Sequence, residues 1–83
     1  MATWKCWLDD ASLERFRHEL QLTHINNEVH VPGEHDLPES HVRQLAIDAF
    51  MVLARQENPD LERSRLFELM NELQVVCEPM GDV

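Results

Sequence analysis

Residues 36–54 read DLPESHVRQLAIDAFMVLA. Val42, Leu45, Ala46, Ala49, Phe50 and Leu53 recur at i, i+3, i+4, i+7, i+8 and i+11, the spacing of one helix face. Ile47, Met51 and Ala54 add a second apolar stripe beside it. A helix apolar over so much of its circumference is the central one of a small domain. Its start is marked by Asp36 and Glu39 at capping-box spacing, with Pro38 in the first turn. The pattern predicts a helix of about four turns, around which the rest of the chain must pack.

Moving outward toward the C-terminus, Asn58-Pro59-Asp60 reads as a break and restart: Asn58 caps, Pro59 takes the first helical position, and Asp60 follows. Leu61, Leu66, Leu69, Met70 and Leu73 then predict a last helix ending near Val76, before Pro79. The short link makes these two helices an antiparallel hairpin.

Outward in the other direction, Pro32-Gly33 ends a stretch of two short alternating runs at residues 22–31. Asn26-Asn27 between them suits a two-residue hairpin turn, because Asn tolerates positive φ. That register puts Leu22, His24, Val29 and Val31 on the core face, and Thr23, Ile25, Glu28 and His30 on the other. Upstream, Asp9 or Asp10 caps a short helix to about Leu20, with Leu13, Phe16 and Leu20 as its buried stripe. Residues 2–8 alternate, and Trp, Thr and Cys together favour a strand over a helix continuous with the next segment. Ala2, Trp4, Cys6 and Leu8 share one face; Thr3, Lys5 and Trp7 share the other. The fold class predicted is α+β: a small antiparallel sheet of about three strands, one short helix, and a C-terminal antiparallel helical hairpin. Residues 1–78 form one domain and 79–83 a short tail.

The size agrees with one domain, since 83 residues do not divide into two. Seven Lys and Arg stand against sixteen Asp and Glu, a net charge of -9. That sign disfavours direct binding to a nucleic-acid backbone. No apolar run approaches the ~18 residues of a membrane span, and no basic-then-apolar leader opens the chain. The expected location is the cytoplasm.

Chemistry-bearing groups are few. The two cysteines, Cys6 and Cys77, are too sparse for a disulfide scaffold. They read as small core residues, with one bridge joining the two ends of the domain as the alternative. Four of the five histidines, His24, His30, His35 and His41, fall within residues 24–41. No spacing among them matches a paired-ligand motif, and no metal or cofactor is expected. Only two glycines leave no Gly-rich phosphate loop, and the chain is short for an enclosed pocket. The chain is therefore not expected to be an enzyme.

Charge carries more. Residues 57–83 hold seven acids and two bases, against nine and five in the other 56 residues. Glu57, Asp60, Glu68 and Glu72 are placed together on the outer face of the last helix pair, as a surface that steers a basic partner. Trp7 joins them as a partner-binding candidate, although cover by the first helix competes with that role. The last helices are no DNA reader, because Glu62, Glu68 and Glu72 stand where Lys, Arg or Asn belong.

The expected function is a small interaction protein that docks an acidic face on a basic protein partner. Such a partner includes nucleic-acid-handling proteins, with the acids imitating phosphate, and the size and charge are those of small phage or mobile-element inhibitors. The alternatives are a metal- or redox-responsive domain using Cys6, Cys77 and residues 24–41, and a homo-oligomeric structural subunit, a homodimer being one form.

Overall fold

The computed structural model describes residues 2–25 and 27–80. The chain runs β1 (Thr3–Leu8), α1 (Asp10–Leu20), β2 (Glu28–Pro32), α2 (Glu39–Glu57), α3 (Arg63–Glu72) and β3 (Val75–Pro79). The class is α+β, a three-stranded antiparallel sheet with three helices. Strand order is β2-β1-β3, so the first strand lies in the middle.

β1 takes that place because its alternation gives it a full apolar face. Trp4, Cys6 and Leu8 are buried, and Val29, Val31 and Val75 of the flanking strands join them. α2 lies across this face and touches all three strands and α3. Val42, Ala46, Ile47, Phe50, Met51 and Ala54 are its buried residues. The second apolar stripe is thus the better buried, while Leu45, Ala49 and Leu53 are half-buried. α1 is capped by Asp9, whose Oδ1 accepts from Ser12 N at 2.8 Å, and Phe16 meets Phe50 edge-on at 6.1 Å. Ser12 is itself buried, and its Oγ accepts from Gln74 N at 2.8 Å, tying α1 to the entry of β3.

The ladders alternate sides along β1. Gly33 N donates to Ala2 O, so toward β2 the hydrogen-bonded pairs fall on even residues of β1. Asp9 N donates to Gln74 O and Met80 N to Thr3 O, so toward β3 they fall on odd residues. Where β2 has not yet begun, the Asn27 side chain continues the ladder: Oδ1 accepts from Leu8 N and Nδ2 donates to Leu8 O, both at 3.0 Å. Pro32 pairs with Thr3 and Pro79 with Trp4, each at an unbonded position, so the missing N–H faces the outer rim of its strand.

Five local expectations are corrected. Residues 22–25 form no strand: β2 pairs with β1, and the third strand is β3. Leu22 and Ile25 are both buried and His24 is exposed, a spacing of three that alternation cannot satisfy. Asn26, half of the expected turn, lies outside the described residues. The last helix stops at Glu72 and not near Val76, because Leu73 is already extended and the β-branched pair Val75-Val76 suits a strand. Asn58 closes α2 and does not open α3; its N–H bonds Ala54 O, and α3 begins only at Arg63. The five-residue step from Leu61 to Leu66 already breaks helical spacing. Finally, Asp36 forms no capping box: Pro38 holds the N-cap position of α2 without a side-chain bond. Pro79, expected to open a tail, ends β3, and residues 81–83 lie outside the described residues.

Candidate functional site

All the buried sheet residues face the helices, which leaves the opposite face uncovered. That face is a grid of side chains directly opposite one another. Glu28, Trp7 and Val76 form one row across β2, β1 and β3; His30, Lys5 and Glu78 form the next; Pro32 and Thr3 follow. Lys5, Glu28 and His30 keep between 43% and 47% of their side-chain exposure, so no helix roofs them. Trp7, on the same face, is half-buried. Its indole N–H has no hydrogen-bond acceptor among the described residues.

The charges here are ordered. Lys5 Nζ lies 5.4 Å from the Trp7 ring centre and 3.4 Å from Glu28 Oε1. His30 Nε2 lies 2.9 Å from Glu28 Oε2. The bond to His30, then the one to Lys5, holds the Glu28 carboxyl below its ordinary range. Glu78 makes no ion pair among the described residues.

The four acids expected to act together do not converge. Asp60 is exposed in the turn before α3, and Glu68 is exposed on α3. Glu72 is exposed but bound by Arg15 at 3.3 Å, which also bonds Glu19 at 2.7 Å. Glu57 is turned inward. Its Oε1 accepts from Thr23 N at 2.6 Å, Thr23 Oγ1 at 2.8 Å and His24 N at 3.0 Å. Its Oε2 is shielded and takes no partner among the described residues. An acid in the last turn of a helix meets the negative end of the dipole. The donors overcome this: the Thr23 backbone bond first, then the Thr23 hydroxyl and His24 N–H, hold the carboxyl below its ordinary 4.5. Glu57 is thus the clamp that fixes the segment between α1 and β2.

The sign of the pH effect follows. A lowered folded pKa stabilises fully above 4.5, and that contribution is lost as the pH falls through the folded value. Glu57→Gln is expected to melt below wild type at neutral pH, and the gap to narrow on acidification. Thermal melts of both proteins across that range check this; a gap that stays constant with pH would remove the charged clamp.

The α2–α3 junction holds what sequence reading missed. An open groove of about 620 Å³ is lined by Asp48, Met51, Val52, Arg55, Pro59 and Arg63, among others. Val52 is 57% exposed, and Phe67, one turn after Arg63, is 42% exposed. Arg55, Arg63 and Arg65 pair with no acid among the described residues. The mixed signs here interrupt the continuous acidic face expected of this region.

The histidines disperse. His24 is exposed beside Glu57, His30 lies on the open sheet face, His35 stacks edge-on at 5.9 Å from Trp4, and His41 is exposed on α2. Among the described residues no three His, Cys, Asp or Glu side chains gather in a way that could hold a metal ion. Cys6 and Cys77 do meet, as directly opposed residues of β1 and β3. Burial, and then the neighbouring Cys77 thiol, pushes the Cys6 thiol up to about 12. Among the described residues no helix is long and apolar enough to cross a membrane. No family model, no curated protein and no solved structure matches the chain.

Proposed function

We propose that this chain is a non-enzymatic protein-interaction module that docks its uncovered sheet face, centred on Trp7, on a basic protein surface. One observation carries the reading: a tryptophan whose indole N–H has no acceptor among the described residues sits in the middle strand of a sheet face that no helix of the described residues covers. Tryptophan in such a position offers a large apolar body and an unused donor, the properties of an interface anchor. The charge of -9 chooses the partner's sign. Glu78 on the same face, and Asp60 and Glu68 elsewhere on the surface, carry no basic partner among the described residues and add to the attraction. A nucleic-acid-handling protein is the class of basic partner this field fits, and occupying its phosphate-binding surface is inhibition by mimicry.

The test is capture of partners from host lysate by wild type, Trp7→Ala and Val52→Ser at low and at high salt. A single stoichiometric basic partner is expected at low salt and lost at high salt. Trp7→Ala, with an unchanged circular-dichroism spectrum, is expected to weaken it roughly tenfold or more, and Val52→Ser to leave it unchanged. Loss on Val52→Ser but not on Trp7→Ala would move docking to the α2–α3 groove and overturn the reading.

A further inference from the structure

The only two cysteines of the chain lie 71 positions apart in sequence and opposite each other in the sheet. Their pairing is of a particular kind. The bonds at Asp9–Gln74 and Thr3–Met80 place Cys6 and Cys77 in an unbonded pair of the β1–β3 ladder. In such pairs the Cα atoms approach to about 4.5 Å and the side chains are closest. That lies inside the ~4.4–6.8 Å range a disulfide spans. Both side chains point to the helix-covered face, so neither has to cross the sheet to reach the other.

Access differs between them. Cys6 is fully buried, whereas Cys77 is half-buried and lines a small groove of about 190 Å³ with Glu39, Ser40, Arg43 and Val75. A small oxidant entering that groove meets Cys77 and not Cys6.

We propose that Cys6 and Cys77 form a reversible redox pair, which a peroxide-class oxidant converts to a cross-strand disulfide joining β3 to β1. The peroxide oxygen adds to the Cys77 thiol, giving a sulfenic acid and one water. The Cys6 sulfur then attacks the Cys77 sulfur, forming the S–S bond and releasing a second water that carries away both remaining protons. Two thiols are oxidised by two electrons, and one peroxide is reduced to two waters. Burial favours the protonated form of Cys6 and so keeps it from initiating; its attack on the Cys77 sulfur rests on its position directly opposite, and its proton leaves with the displaced hydroxide as water. Where thiols are kept reduced, the resting state is the dithiol and the bridge is transient. The bridge tethers an outer strand to the central one, and so suppresses local opening of β3. This pair faces the core, away from the proposed docking face, so it stands or falls independently of the docking reading.

The experiment exposes the purified chain to hydrogen peroxide at low protein concentration, alkylates the remaining thiols, and reads mass and peptide map. The expected product is a monomer lighter by two hydrogen atoms, with both thiols closed to alkylation and one peptide pair linked through Cys6 and Cys77. A reductant restores it. Amide exchange of Val76 and Glu78 is expected to slow roughly tenfold or more in the oxidised form. Cys6→Ser is expected to leave a sulfenic acid on Cys77 that dimedone captures, and Cys77→Ser to leave Cys6 reduced. The wild-type map decides alone if either variant fails to fold. Disulfide-linked dimers, or a Cys77 sulfinic acid beside a free Cys6, would overturn the proposal.

Discussion

Phe50→Ala is expected to lower the free energy of unfolding by about 3–5 kcal/mol. Phe50 is fully buried in the middle of α2, the helix that touches every strand. Its ring also makes the edge-on contact with Phe16 that seats α1. Truncation removes burial of a large apolar surface and leaves a cavity beneath the sheet, and rigid neighbours on both sides limit collapse. A domain of this length has only about 4–12 kcal/mol in total. The loss is therefore a large share of the stability. Urea denaturation of Phe50→Ala beside Phe67→Ala checks it, since Phe67 is 42% exposed and is expected to matter far less. A loss below about 1 kcal/mol at Phe50 would show that the α1–α2 aromatic contact is not the centre of the core.

The second large effect is expected at Asn27. Its side-chain amide serves as one more rung of the β1–β2 ladder, bonding both backbone groups of Leu8. Asn27→Ala strands a part-buried N–H and a part-buried C=O together. At roughly 1–3 kcal/mol for each unpaired group, and some access for water, the expected loss is about 2–4 kcal/mol. Asn27→Asp separates the two bonds. The carboxylate still accepts from Leu8 N but repels Leu8 O at neutral pH. Measured against wild type at the same pH, Asn27→Asp is expected to recover in part when acidified, because a protonated carboxyl donates again. Urea midpoints for both variants at neutral and acidic pH are the measurement; a harmless Asn27→Ala would mean that water replaces the amide at no cost.

What was legible in the sequence was what short periods encode. The alternation of residues 2–8 found β1 and placed Trp7 on the outer face. Asp9 marked the start of α1, and the stripes of residues 42–54 found α2. What was hidden depended on distant partners. β3 is five residues long and follows a helix without a loop signal, so only the Val75-Val76 doublet announces it. Its partner strand lies at the other end of the chain. Residues 22–25 alternate as a strand would, yet their conformation is set by Glu57, more than thirty positions away. The acids fared alike: Arg15 reaches Glu72 across 57 positions, a contact no local pattern reveals. Charge counts were visible in the sequence, but which charges remain unspent was not.

Pro32 and Pro79 end the two outer strands with their blank backbone positions turned away from the sheet. Each rim therefore presents a further molecule with a docking strip that stops within a few residues. A strand arriving from another chain finds acceptors but no donor at the last rung, and register cannot propagate past it. Each proline removes one outward donor from its rim, which works against self-templated growth of the sheet into fibres. Under the proposed docking reading, the broad face, where shape and charge select a partner, is then the surface open to association, and not the backbone, which would accept any strand.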